Sequence, residues 1–136
     1  MIIDAKNAVL GRMASGVAKK LLAGEKISII NAEQAIMTGN PNKMRNYYLE
    51  RKAKGSPHHG PFTPKRPDLI VRRVIRGMLP YKKPKGRDAM KRLKIFIGFP
   101  DYVEGKQIMT IEESIKEIKT KYIKVGNLAK AMGYRN

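Results

Sequence analysis

Leu10, Met13, Ala14, Val17, Ala18, Leu21 and Leu22 recur at i, i+3, i+4, i+7, i+8, i+11 and i+12, with Arg12, Ser15, Lys19 and Lys20 between them. That spacing puts the apolar side chains on one side of a helix. Asn7 is a candidate cap before it and Gly24 a candidate stop after it. Ile2-Ile3 in front and Ile27-Ser28-Ile29-Ile30 behind are short strand-like runs. Strand, helix and strand in this order predict a βαβ unit whose two strands run parallel through a right-handed crossover.

Further along, Ala35-Ile36-Met37 predicts another short strand. Asn40-Pro41 reads as cap and first residue of a helix through about Ala53. Residues 54–66 hold Gly55, Pro57, Gly60, Pro61 and Pro64 and predict an irregular loop, of a length that is usually functional or disordered. Pro67 opens a helix to about Met78, with Ile70, Val71, Val74, Ile75 and Met78 on its apolar side. Pro80 and Pro84 predict an extended stretch, Gly86 a close backbone approach, and Arg87–Arg92 a short helical turn. Lys94–Ile97 is the last clear core strand. Beyond a turn near Gly105, Thr110 and Glu113 have the spacing of a capping box, and Ile111, Ile115, Ile118 and Tyr122 predict one helical stripe. Asn127–Met132 predicts a final helix closed by Gly133. The alternation predicts an α/β layer fold around a small parallel sheet, spanning 1–136 as one domain with 105–136 as a C-terminal helical extension.

Charge changes this picture from a fold into a function. The 136 residues carry 29 Lys and Arg against 11 Asp and Glu, a net +18, and the excess is concentrated. Residues 43–94 hold seventeen cations and three acids, while the flanking segments are each close to neutral at net +2. A charge so far from zero repels itself in the compact state, and nucleic acid is the usual partner that neutralises it. A mean hydropathy of −0.44 fits a soluble chain, and no apolar run approaches the roughly 18 residues of a membrane span. The N-terminus lacks the pattern of a secretory signal. The absence of cysteine excludes a disulfide framework and thiolate metal sites.

Within the basic middle, Arg72, Arg73 and Arg76 occupy the side of their helix opposite Ile70 and Val74. Guanidinium forks suit phosphate oxygens, and three carboxylates cannot pair seventeen local cations. Lys82, Lys83, Lys85, Arg87, Lys91 and Arg92 follow, held beside a core strand rather than on a free tail. The full candidate RNA-binding set adds Arg12, Arg45, Arg51, Lys52, Lys54, His58, His59, Lys65 and Arg66. His58 and His59 are the only histidines and have no carboxylate near them in sequence, so they read as polar contacts rather than as a metal or catalytic pair. Tyr47 and Tyr48 lie among cations; Tyr47 and Met44 are spaced to share a core side, so at least one tyrosine is expected to pack inward. "TGNPNK" lacks a phosphate-loop pattern. "LAKAMGY" (Leu128–Tyr134) is a fragment of the kind found in helix-turn-helix proteins. It supports one alternative, a DNA-binding regulator using the C-terminal helices. Metal-assisted chemistry on nucleic acid wants clustered carboxylates or histidines, and the local acids are scattered.

Several stretches are more specific. "VLGRMAS" (Val9–Ser15), "NAEQAIMTGN" (Asn31–Asn40), "HHGPF" (His58–Phe62), "VIRGMLP" (Val74–Pro80) and "GRDAMKRLKIFIGFP" (Gly86–Pro100) resemble, in order and spacing, the large-ribosomal-subunit protein family thirteen. The resemblance covers about residues 2–104. The loop and C-terminal tail look more like the archaeal branch than the bacterial one, without the long basic helical extension of the eukaryotic branch. The resemblance implies a three-layer α/β fold with about four parallel strands and helices on both faces. It implies binding of large-subunit ribosomal RNA early in subunit assembly, with neighbouring ribosomal proteins, in the cytoplasm. It implies no catalysis, cofactor, metal, small-molecule substrate or membrane. The RNA contacts are expected on the basic helix, the "RGMLP" corner and the lysine stretch.

Overall fold

The computed structural model describes residues 1–115 and 118–135, with 112 and 113 given by their backbone alone. The chain runs through β1 (Ile2–Asp4), α1 (Leu10–Leu22), β2 (Ile27–Ile30), β3 (Ile36–Thr38), α2 (Pro41–Ala53), α3 (Pro67–Gly77), α4 (Pro84–Lys91), β4 (Leu93–Ile95), β5 (Ile108–Met109), β6 (Tyr122–Lys124) and α5 (Val125–Ala131). The expected βαβ unit is present: β1 and β2 pair in parallel, with Ile3 opposite Ile29. β4 adds in parallel to the far side of β2, and β5 adds in parallel to the far side of β1. The result is an α/β fold on a four-stranded sheet in the order β4-β2-β1-β5.

Alternation along the strands decides what each face buries. Ile3, Ile27, Ile29 and Leu93 join Met13, Ala14, Val17 and Leu21 of α1 and Ile70, Val71 and Ile75 of α3 in one buried cluster. Each of the larger side chains contributes about 1.5–3 kcal/mol by leaving water. Ile30 and Val103 are buried outside that cluster. Among the described residues no helix is long and apolar enough to cross a membrane.

Local chemistry explains most element ends. Asn40 Oδ1 accepts from the Asn42 and Lys43 amides at 3.0 and 3.5 Å, and Pro41 supplies the first turn of α2, as predicted. Gly24 takes φ +99° and closes α1. Asn7 does not cap α1: it sits at φ +59° in the turn after β1, and Val9 holds the cap position without a side-chain bond. Asparagine tolerates that left-handed geometry, and a turn there is the stronger demand.

Four expectations are corrected. The Pro80–Lys94 stretch is not extended: Pro84 stands at the first position of α4, where its missing N–H costs nothing. Gly86, Ala89 and Met90 of α4 turn inward while Lys85, Arg87 and Lys91 are exposed. Met78 is exposed rather than part of the apolar side of α3, because it lies at the C-cap where the helix ends. The helix expected over Ile111–Tyr122 is replaced by a 3-10 turn at Glu112–Ile115 and by β6. β6 pairs antiparallel with β3, so β3 leaves the main sheet. Ile123 is buried and Tyr122 exposed, a two-residue alternation that the four-residue spacing of isoleucines concealed. Residues 116 and 117 and the Glu113 side chain, part of the expected helix and capping box, lie outside the described residues. Finally, the helix-turn-helix reading loses its first helix, and Leu128, Ala129 and Met132 of the remaining one are buried in the core.

Gly86 is where α4 meets the preceding turn. A Cβ there would stand 2.0 Å from the Pro80 carbonyl oxygen and 2.7 Å from the Tyr81 nitrogen, backbone atoms that cannot swing away. Gly86→Ala is therefore expected to destabilise the fold by about 1–3 kcal/mol through overpacking. Gly77, with nothing within 4 Å of its would-be Cβ, is the control. Gly77→Ala is expected to be neutral or to stabilise by up to about 1 kcal/mol. Urea unfolding midpoints of the two variants check both.

Candidate nucleic-acid interface

The cations of the basic middle fall into two physical groups. The first is held to the frame through carbonyls at helix ends, where the last turn leaves acceptors unsatisfied and the dipole favours positive charge. Arg92 donates from Nη2 to the Leu21 carbonyl of α1 at 2.6 Å. Arg72 donates to the carbonyls of Met90 at 3.4 Å and Leu93 at 3.2 Å, where α4 passes into β4. Lys52 donates to the carbonyl of Met132, the C-cap of α5. Arg72 and Arg92 are half-buried. Arg72 thus departs from the expectation that all three arginines of α3 face outward together. At 100° per residue Arg72 and Arg73 flank the buried side, and Arg76 alone stands opposite it. Exposure follows that geometry, with Arg76 exposed and the other two half-buried. A helical wheel would have separated them.

The second group faces solvent. Lys82, Lys83, Lys85, Arg87 and Lys91 are exposed on and just before α4, with Arg87 Nη2 anchored on the Lys82 carbonyl at 2.9 Å. Arg12 of α1 is exposed and borders a shallow concavity with Met44 and Val74. On α2, Arg45 is half-buried and bonded to Asn42 Oδ1 at 3.0 Å, whereas Arg51 is exposed. The 54–66 loop is pinched by reciprocal backbone bonds between Ser56 and Gly60 at 3.1 and 2.9 Å. His58 and His59 lie exposed inside that turn, and Lys54, Lys65 and Arg66 are exposed on its flanks. Among the described residues no group of histidines and carboxylates has the arrangement of a metal site.

The acids do little to balance these charges. Arg66–Asp68, at 3.0 Å, is the one ion pair among the described residues. Asp4 and Glu33 serve the frame instead: Asp4 accepts from the Lys6 amide and from Asn31, and Glu33 accepts from the Gly98 amide. Glu50 and Asp88 are exposed.

Folding also assembles a cleft that the linear pattern did not indicate. Arg51 of α2 and Arg73 and Arg76 of α3 line a concavity of about 290 Å³ with Tyr48, Pro64, Val74 and Tyr81. Arg73 is fixed by donating Nη1 to the Phe62 carbonyl at 2.9 Å. The Arg76 guanidinium lies over the Tyr81 ring, 4.9 Å from its centre. Arg51 donates to Tyr47 Oη at 2.9 Å. Tyr48, not Tyr47, shares the inward side with Met44, and burial pushes its phenol above the usual range, with Tyr47 adding to the rise. Tyr47 is 51% exposed, so one tyrosine of the pair packs inward as expected, but the partner of Met44 is the next residue along. Sequence reasoning missed Tyr81. Its only signal was an aromatic one step after a proline-turned corner and directly before two lysines.

Comparison with known proteins adds an independent finding. Residues 1–101 match the family described as Ribosomal protein L13. The chain is similar to the Large ribosomal subunit protein uL13 of Methanopyrus kandleri, 47% identical over 98% of this chain and 87% of that protein. It is equally similar, at 47% identity over 97% of this chain and 96% of that protein, to the uL13 of Methanocaldococcus jannaschii. The uL13 of Archaeoglobus fulgidus is 40% identical over 98% and 88% of the two chains.

The two groups of cations differ in what their loss costs. Arg92→Met removes a part-buried charged donor from the Leu21 carbonyl, which keeps its bond from the Gly24 amide, so the loss of the charge-assisted bond is expected to cost about 1–3 kcal/mol. Lys91→Met on the exposed side is expected to stay within about 0.5 kcal/mol of the unmodified chain. Chemical denaturation of both variants, at one salt concentration, checks the assignment.

Proposed function

Given that the chain belongs to the ribosomal protein L13 family, a structural constituent of the large ribosomal subunit, we propose that its exposed middle cations dock it onto large-subunit ribosomal RNA. One observation carries this reading: on α2, α3, α4 and the 54–66 loop, a dense set of exposed Lys and Arg stands against a single ion pair among the described residues. A surface balanced for solvent alone would intersperse both signs.

The mechanism is electrostatic and geometric. Lysines on α4 act as point charges that can follow a phosphate backbone, while the forked guanidiniums of Arg51, Arg73 and Arg76 suit paired phosphate oxygens. Because α4 is packed through Gly86, Ala89 and Met90, its charges are carried on a rigid element, and less ordering entropy opposes binding than for a flexible tail. Docking displaces counterions from the RNA, which makes affinity fall steeply with salt. An A-form helix offers side chains its shallow groove, 2′-hydroxyls and phosphates, so recognition is mainly of RNA shape. Candidate contacts are Arg12, Arg45, Arg51, Lys54, His58, His59, Lys65, Arg66, Arg73, Arg76, Lys82, Lys83, Lys85, Arg87 and Lys91. The half-buried Arg72 and Arg92 support that surface from beneath through their carbonyl bonds, and the exposed Lys52 is tied to the Met132 carbonyl at its edge. Docking of this kind supports subunit assembly, in the ribosome and in the cytoplasm, beside neighbouring ribosomal proteins. The family role is structural rather than enzymatic. No observation favours the DNA-binding alternative.

Binding to a large-subunit rRNA fragment is measured against salt concentration. Log K is expected to fall with log salt by about 0.7–0.9 per phosphate neutralised. Replacing Lys82, Lys83 and Lys85 together by Gln is expected to weaken binding and flatten the slope by about 0.7–0.9 for each contact removed, with the unfolding midpoint unchanged. Affinity that is flat in salt, or equal affinity for a DNA duplex of the same length, would overturn the reading.

A further inference from the structure

The cleft between α2, the end of the 54–66 loop, α3 and Tyr81 is unlike the rest of the basic surface. The α4 lysines stand on a convex ridge that suits a phosphate backbone. The cleft is concave, of about 290 Å³, too narrow for a duplex and near the lower end of the size range of small-ligand sites. Its walls combine two chemistries. Val74, Pro64 and the two tyrosines Tyr48 and Tyr81 supply apolar and aromatic surface, and Arg51, Arg73 and Arg76 supply three guanidiniums with no carboxylate in the lining. A basic or neutral ligand leaves those charges unanswered, and a bare phosphate leaves the aromatic wall unused. One ligand class satisfies both: a flat heteroaromatic base carrying a phosphate.

The side chains are also already oriented. Arg73 is held by the Phe62 carbonyl, Arg51 by Tyr47 Oη, and Arg76 lies over Tyr81. Arginine carries five donors, so each of the first two keeps most of them for a ligand. Tyr81 is 39% exposed in spite of its contact with Arg76, which leaves ring surface for a second partner. Bases splayed out of RNA are commonly held by stacking on aromatic rings and guanidinium planes. We propose that this cleft captures a single unpaired RNA nucleotide, its base stacked at the Tyr81–Arg76 pair and its phosphate held by Arg51 and Arg73. The proposal rests on the RNA-binding reading above and gives it a site that distinguishes one RNA structure from another. The α4 ridge supplies affinity for any phosphate backbone, and the cleft supplies selection for a strand that offers an extruded base.

The test uses the purified full-length chain and two RNA hairpins that differ only in one bulged nucleotide. The unmodified chain is expected to bind the bulged hairpin more tightly. Tyr81→Leu is expected to weaken that complex roughly tenfold, the scale of one stacked base, and to abolish the difference between hairpins, while Tyr81→Phe retains it. Equal binding of the two hairpins by the unmodified chain overturns the cleft proposal, as does an equal effect of Tyr81→Leu on both. Failure of either hairpin to bind in a salt-dependent manner instead overturns the RNA-binding reading beneath it. Should Tyr81→Leu not fold, nuclear Overhauser contacts in the unmodified chain decide the matter. Contacts between the Tyr81 ring and the bulged base support the proposal, and their absence at saturating RNA overturns it.

Discussion

Repulsion among like charges is the constraint under which this fold is built. A net +18 on 136 residues has to be carried by a frame that stays folded before any polyanion arrives. The compensating attraction is apolar and concentrated. α1 and α3 press Met13, Val17, Leu21, Ile70, Val71 and Ile75 onto Ile3, Ile27, Ile29 and Leu93 of the central strands. These positions exclude water and charge together, so the cations are displaced to the outer faces of α2, α3 and α4, where solvent screens them.

Backbone carbonyls do part of the work that acids would do elsewhere. Arg92 at the end of α1, Arg72 at the end of α4 and Lys52 at the end of α5 each meet the negative pole of a helix. Pairing with a carboxylate would have cancelled a charge and diluted the field seen by RNA. Pairing with a carbonyl keeps the net charge, adds a donor to an acceptor at a helix end and ties one element to another. Few acids are then needed for the same cohesion, and those near the sheet, Asp4 and Glu33, accept backbone and amide hydrogens instead. The same economy shapes the cleft, because Arg51, Arg73 and Arg76 are positioned by Tyr47, Phe62 and Tyr81 rather than by carboxylates.

Two kinds of binding geometry emerge from one basic segment. α4 is a short helix whose inner side is Gly86, Ala89 and Met90, and its outer side is a cationic ridge. Between α2 and α3 the chain makes a hollow instead, walled by Thr63 and Pro64 of the returning loop together with Tyr48 and Val74. Ridge and hollow meet at Tyr81, which lines the hollow and immediately precedes Lys82.

The sequence by itself determined the elements whose signals are local. The period of α1 is set by seven apolar residues, the start of α2 by Asn40 and Pro41, the start of α3 by Pro67, and the βαβ unit by two isoleucine runs around one helix. It also determined that the charge lies in the middle of the chain, and the motifs from Val9 to Pro100 pointed to the family. Only the tertiary structure decided the partners. β5 and β6 are two and three residues long, and their strand character comes from pairing with β1 and β3, which no local pattern announces. Nothing in the spacing of Arg72 or Arg92 tells which carbonyl lies within reach, since Leu93 is 21 residues from Arg72 and Leu21 is 71 from Arg92. Tyr81, Arg51 and Arg73 likewise become one site only when α2, α3 and the corner after α3 come to wall the same hollow. Helix and charge are properties of neighbours along the chain, whereas a cleft or a bond to a distant carbonyl is a property of neighbours in space.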